Sequence, residues 1–234
     1  ISSYEKALKI KPDYPEAEHM LSALKGFNTD TAPRKYVENL FNYYANRFER
    51  SLVDKLEYKI PKLLKDKILN ENNGKRLGSV LDLGCGTGLA GIELRKHSEY
   101  LEGIDLSHAM LKKAEEKNVY DRLIHQDIKE YLITADLDFD YFVSTDVFIY
   151  VGDLAEVFNL IKMRNKRNGK LAFTTEHNNK NTYKLEKSGR FSHSKKYIER
   201  LCKKYGYVLS YFCNANLRKE NDEYLSGGIY ILEF

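Results

Sequence analysis

The stretch VLDLGCGTGLAG, residues 80–91, constrains this chain more than any other. A short apolar run suited to a buried strand leads directly into glycines at 84, 86 and 88, and then into a helical pattern. Strand, glycine-rich turn and helix form the opening unit of an open parallel α/β sheet, with a ligand seat at the carboxyl end of the strand. Two glycine frames overlap here. From Gly84 the spacing is Gly-x-Gly-x-Gly, and from Gly86 it is Gly-x-Gly-x-x-Gly, the dinucleotide spacing. The second frame puts its tight turn two residues past the strand and fits poorly. Asp82 weighs the same way, because a carboxylate at the strand's end repels a pyrophosphate and attracts an ammonium group.

From residue 79 onward, strands and helices alternate: SVLDLG, helix 89–97, YLEGIDL, helix 107–117, RLIHQD, FDYFVSTD, helix 153–164 and KLAFTTE. Helix 195–205, stopped by Gly206, then leads to strand YVLSYFC, a polar loop and a last strand GIYILEF, read as a closing antiparallel pair. This predicts a Rossmann-like α/β sheet of seven strands, mostly parallel with an antiparallel last strand. Upstream, residues 1–26 read as two short helices broken at KPDYP, with Asp13 at a cap position and Pro15 in the first turn of the second. Residues 27–78 hold the polar linker GFNTDTAPR and an aromatic helix. In that helix Val37, Leu40, Phe41, Tyr44, Phe48 and Leu52 fall on one face, a stripe that requires a partner.

The nine residues Val80 to Gly88 match the first motif, h-h-D-h-G-x-G-x-G, of class I methyltransferases, and the chain resembles that family. The resemblance implies S-adenosylmethionine as cofactor and S-adenosylhomocysteine as product. It implies that Asp82, Gly84, Cys85, Gly86, Thr87 and Gly88 receive the methionyl part. Asp105, 21 residues after Gly84, stands where an acidic residue accepts from ribose hydroxyls. Leu106 and Met110, within LSHAML, would flank the adenine, and Asp127 with Ile128 would meet its amino group and ring. A helix cap is the alternative for Asp127. Thr145 belongs to the same cofactor side, and Tyr36 and Tyr44 of the aromatic helix would reach over it as a lid, with plain packing as the alternative.

The chain is also similar to a narrower group in which this domain is fused to tetratricopeptide repeats. That likeness rests on ALKIKPDYPEA, on Tyr36 to Phe48, on DVFIYVGDL (Asp146 to Leu154) and on SGRFSHS (Ser188 to Ser194). It implies a protein partner for the N-terminal helices; a plain helical hairpin is the alternative. On the acceptor side Arg190, His193 and Asp146 are the candidates, with Glu176, His177, Arg218 and Tyr150 nearby. Arg190 would bind an acidic group on the acceptor and His193 would act as base. A surface arginine, a histidine bonded to backbone and an aspartate that caps or pairs are the alternatives.

The function expected is methyl transfer to a protein or small-molecule acceptor. A non-catalytic S-adenosylmethionine-binding scaffold and an NAD-dependent oxidoreductase stay open as alternatives. Three cysteines without CxxC spacing argue for the reducing cytoplasm and against a structural metal. No apolar run approaches the about 20 residues that a membrane span needs. With 38 basic and 34 acidic residues spread along the chain, nucleic-acid binding lacks support. The absence of an initial Met suggests part of a longer chain.

Overall fold

The computed structural model describes residues 1–220 and 223–234, apart from the side chain at position 54. Nine strands form one sheet: β1 (Ser79–Leu83), β2 (Tyr100–Asp105), β3 (Arg122–His125), β4 (Tyr141–Ser144), β5 (Lys170–His177), β6 (Tyr183–Leu185), β7 (Phe191–His193), β8 (Val208–Glu220) and β9 (Glu223–Glu233). β3, β2, β1, β4 and β5 lie side by side in parallel. β9 runs antiparallel along the free edge of β5, and β8 pairs antiparallel with β9.

Alternation along the strands explains why both faces are covered. Leu81, Leu83, Phe142, Phe173, Tyr230 and Leu232 enter one core, while Val80, Val143, Ala172, Ile229 and Ile231 enter the other. A strand buried on both faces has to be apolar at odd and even positions alike. Asp82 has the parity of Val80, so its carboxylate lies on the face covered by α4 (Ile60–Glu71) and α5 (Leu89–Leu94), away from the Leu81 and Leu83 face.

Three expectations need correction. β6 and β7 add a hairpin that the sequence reading missed, and β7 pairs with β5 only at Glu176 and His177. Since β9 occupies the other edge of β5 as far as Glu176, this hairpin extends the sheet on the β4 side, beyond the point where β4 ends. The polar loop between the last two strands is instead paired backbone: β8 and β9 continue as a ribbon out to Glu220 and Glu223. Its polarity reflects an arm reaching past the sheet. A helix, α7 (Ile128–Thr134), also follows β3, capped by Asp127.

The remaining helices are α1 (Ser2–Ile10), α2 (Pro15–Lys25), α3 (Arg34–Tyr44), α6 (His108–Glu115), α8 (Ala155–Arg164) and α9 (Lys195–Tyr205). Tyr14, not Asp13, is the N-cap of α2, and no side chain caps that end; Pro15 at the first position needs no backbone partner. The aromatic helix changes pitch after Tyr44, with a 3-10 turn at Ala45–Arg47 and a π-helical turn at Arg50–Lys55. The linker ahead of it is tied down. Ala32 N donates to Tyr150 O at 3.0 Å, Asp30 O accepts from Gly152 N and Asp153 N, and Asn28 bonds β6 through Tyr183 O and Leu185 N. The helix α2 rests on the β6–β7 hairpin, where His19 Nε2 bonds Gly189 O at 2.9 Å.

Candidate active site

A cavity of about 490 Å³ opens at the carboxyl ends of β1, β2, β3 and β4, where an open α/β sheet presents its loops. The backbone of the first loop sets its floor. Gly84, Gly86 and Gly88 all have positive φ (76°, 55° and 89°), a conformation that L side chains adopt at a cost. Their surroundings differ. A Cβ on Gly84 would strike Val147 at 2.5 Å, whereas one on Gly86 would meet nothing within 4 Å and project into open space. Gly84 and Gly86 line the cavity and Gly88 does not; a Cβ there would press on Tyr120 and Ala114.

Asp105 closes β2 and organises this loop. Its carboxylate accepts from Gly86 N at 2.8 Å and from Ser107 N at 2.7 Å, and burial raises its pKa against those two bonds. Leu106, Met110, Asp127, Ile128 and Thr145 join Asp105 in the wall. Asp127 also caps α7, its Oδ1 accepting from Lys129 N at 2.8 Å and Glu130 N at 3.2 Å, so the capping alternative describes one of its oxygens.

The aromatic segment forms the roof. All six residues of the stripe, Val37, Leu40, Phe41, Tyr44, Phe48 and Leu52, line the cavity, followed by Leu56 and Tyr58. Asn42 pins this roof, its Oδ1 accepting from Ser107 Oγ at 2.7 Å and Ala109 N at 3.3 Å. Lys117 ties it again, with its ammonium between Glu49 and Thr87 O. Tyr36 is elsewhere. It sits by His19 and Met20, its hydroxyl 4.0 Å from Met20 Sδ, and packs beneath α2.

Other residues expected at the ligand are held away from it. Cys85 is buried with Sγ toward Gly103, and burial pushes its thiol pKa well up. Thr87 is buried and its hydroxyl has no partner. Asp82 does not line the cavity. It is fully buried, Oδ2 accepts from Tyr120 Oη at 2.7 Å, and Oδ1 has no partner. Burial raises its pKa to about 7, Tyr120 opposing and Asp105 adding to the rise.

The acceptor end is a chain of alternating charges that sequence spacing conceals. Arg218 on β8 donates to Asp146 Oδ2 (2.5 Å) and to Glu176 Oε1 (2.6 Å). Arg190, from the β6–β7 turn, donates Nε to the same Glu176 oxygen (2.6 Å) and Nη2 to Glu220 (2.5 Å). Asp146, Arg190 and Arg218 line the cavity. Asp146 has φ 56°, a strained value for a non-glycine residue, held by Thr174 Oγ1, which accepts from Asp146 N and donates to Asp146 Oδ1. Burial raises the pKa of Glu176 despite its two guanidinium partners. The fork of Arg190 is therefore largely engaged by protein carboxylates.

His193 is corrected outright. It is fully buried, Nε2 bonds the carbonyls of Val151 (3.0 Å) and Gly152 (2.9 Å), and it lies outside the cavity wall. Burial lowers its pKa to about 4, so it is a neutral backbone donor that fixes the turn after β4. Ser194, beside it, caps α9 by accepting from Tyr197 N at 3.1 Å.

The methyltransferase domain family matches residues 75–226, about two thirds of the chain. The chain belongs to this family. The match begins just ahead of β1, so α1, α2, α3 and α4 lie outside it. An uncharacterized methyltransferase of Schizosaccharomyces pombe is 29% identical over 146 residues, 53% of this chain and 51% of that protein. The chain thus spans about half the length of that curated relative. Among solved structures, magnesium protoporphyrin IX methyltransferase from Synechocystis PCC 6803, with bound S-adenosylmethionine, is similar with a TM-score of 0.66 at 16% identity, over 86% of this chain and 96% of that one. A SAM-dependent methyltransferase from Leishmania major has a TM-score of 0.60 at 16% identity, over 98% of this chain and 90% of its own. These likenesses concern the fold: a Rossmann-like methyltransferase sheet, mostly parallel and mixed. Among the described residues no helix is long and apolar enough to cross a membrane.

Proposed function

We propose that the chain is a SAM-dependent methyltransferase and that it binds S-adenosylmethionine across the loops after β1, β2 and β3. The observation that carries the reading is Gly86: it lines the cavity with no side chain, beside a half-buried Asp105 carboxylate that accepts from its backbone. Gly84 and Gly86 would hold the methionyl part, Asp105 the ribose, and Leu106, Met110, Asp127 and Ile128 the adenine. The bound sulfonium supplies a methyl group already activated, so the protein's task is alignment and exclusion of water. The apolar roof from Val37 to Leu56 serves both ends.

The acceptor, on this reading, is a small molecule that enters beneath the roof. Three carboxylates and two guanidiniums around Asp146 leave a local charge of −1, which disfavours an acidic acceptor and suits a neutral or cationic one. That reverses the role expected of Arg190. We further read α1 and α2 as a partial tetratricopeptide-like segment that docks a protein partner, in the cytoplasm, on the strength of ALKIKPDYPEA and the cysteine pattern. Isothermal titration with S-adenosylhomocysteine tests the central claim. Binding that Gly86→Val abolishes, with the fold intact by circular dichroism, is the expected result; no heat with the unaltered protein removes the reading.

A further inference from the structure

Tyr120 precedes β3, and three glycines make room for it. A Cβ on Gly91 would lie 2.4 Å from its Cζ, one on Gly103 2.9 Å from its Cε1, and one on Gly88 3.2 Å from its Cε2. These glycines come from α5, β2 and the loop after β1, so three elements omit a side chain around one ring. At the far end of this niche the phenol donates to Asp82 Oδ2 at 2.7 Å, while Oδ1 is buried without a partner. A buried carboxylate half satisfied in this way is costly. Packing does not require it, because its neighbours of the same parity, Val80 and Val143, are apolar and fully or nearly fully buried.

The groups that act on Asp82 are Tyr120 from ahead of β3, Asp105 at the end of β2, Cys85 of the glycine loop and Tyr58 ahead of α4. None of the four is a cation. A positively charged group arriving at the loop would therefore lie in the field of a carboxylate, buried behind the cavity wall, with no competing counter-charge.

We propose that Tyr120 is a positioning residue for the amino-acid end of the cofactor: its wedged ring and hydroxyl fix the Asp82 carboxylate behind the glycine loop, so that its uncompensated charge acts through the loop on the cofactor's cationic end. This rests on the S-adenosylmethionine reading above. It also reassigns the second glycine frame, in which Gly91 serves the tyrosine ring and not a pyrophosphate.

The test is calorimetric titration of S-adenosylhomocysteine into the unaltered protein, Tyr120→Phe, Asp82→Asn and the double variant, from pH 6 to pH 9. Tyr120→Phe should weaken binding about tenfold at neutral pH, as expected for a hydrogen bond to a charged group. The double variant should match Asp82→Asn alone. The rise of affinity with pH should move to higher pH in Tyr120→Phe, since the hydroxyl that favours the ionised carboxylate is gone. If Tyr120→Phe does not fold, Gly91→Ala, which crowds the same ring, takes its place. No binding by the unaltered protein would sink the cofactor reading itself. Normal binding with Tyr120→Phe equal to it at every pH, or a Tyr120→Phe loss that persists undiminished beside Asp82→Asn, would overturn the role of Tyr120 alone.

Discussion

Replacing Gly91 by alanine separates the two glycine frames by stability alone. Gly91 lies inside α5 and its φ is not positive, so its backbone gives no reason for glycine. Helix propensity favours alanine there by about 1 kcal/mol. Space opposes it: the new Cβ would sit 2.4 Å from Tyr120 Cζ and 2.5 Å from its hydroxyl. The ring cannot slide freely, because Gly88 and Gly103 bound the same niche and the hydroxyl is held by Asp82. Overpacking of this kind costs about 1–3 kcal/mol, and contact this close belongs to the upper part of that range. The net loss is then about 1–2 kcal/mol, or a fall in Tm of roughly 2–8 °C for a chain of this size. Differential scanning calorimetry of the ligand-free protein measures it. In a Tyr120→Ala background the clash is absent, and Gly91→Ala should turn mildly stabilising. An unchanged or higher Tm for Gly91→Ala in the otherwise unaltered protein would refute the niche, and it is what a glycine reserved for a dinucleotide predicts.

Asp105→Ala should weaken S-adenosylhomocysteine binding at least tenfold by calorimetry, because it frees Gly86 N and removes the carboxylate from the wall. Asp82→Asn should stabilise the ligand-free protein at pH 8 while weakening the same binding. A folded-state pKa raised from 3.8 to about 7 contributes stability that is full below pH 3.8 and lost as pH rises through 7, on the order of 4 kcal/mol in all. Urea titrations at pH 4 and pH 8 should show the variant's advantage only at the higher pH. His193 has the opposite sign: lowered from 6.5 to about 4, it stabilises above pH 6.5 and that contribution fades as pH falls toward 4, by about 3 kcal/mol. His193→Gln should make the loss of stability over that range shallower by about one proton. Asn42→Ala should cost about 1 kcal/mol and raise hydrogen exchange across α3, since it releases Ser107 and Ala109.

Much of the frame was legible because it is local. The β1 turn, the strands through β5 and the roof stripe each follow from periodicity within a dozen residues, and every stripe residue named from spacing lines the cavity. What escaped depends on partners far along the chain. Parity places Asp82 on the α5 face, but only the fold shows that Tyr120, 38 positions away, fills the space beside it. His193 and Arg190 looked alike in the sequence as polar residues after β5. One turns into the core toward backbone carbonyls, and the other turns to the cavity against Glu176 and Glu220. The polar ends of β8 and β9 read as a loop because the ribbon beyond the sheet buries Leu217 but has no continuous core face to make its residues alternate.

That ribbon is what gives the acceptor end its character. Arg218 is 6% exposed only because β8 continues past the sheet and lays it between Asp146 and Glu176. Leu217 beside it, at the irregularity between Asn216 and Arg218, is fully buried, and a Cβ on Gly227 would lie 2.3 Å from its side chain, so packing as well as charge bears on the ribbon's position. Arg218 is then a fixed cation offered to whatever anion lies at the ends of β4 and β5, and Asp146 meets it at the cost of a strained φ. Arg218→Met would fill similar volume while leaving Asp146 and Glu176 facing one guanidinium in place of two. If the ribbon is held by packing, the variant should keep its fold yet carry one more net negative charge at the cavity. Its affinity for cationic ligands should rise and become more sensitive to salt, whereas a ribbon held by the ion pairs would come loose and expose Tyr58 to hydrogen exchange.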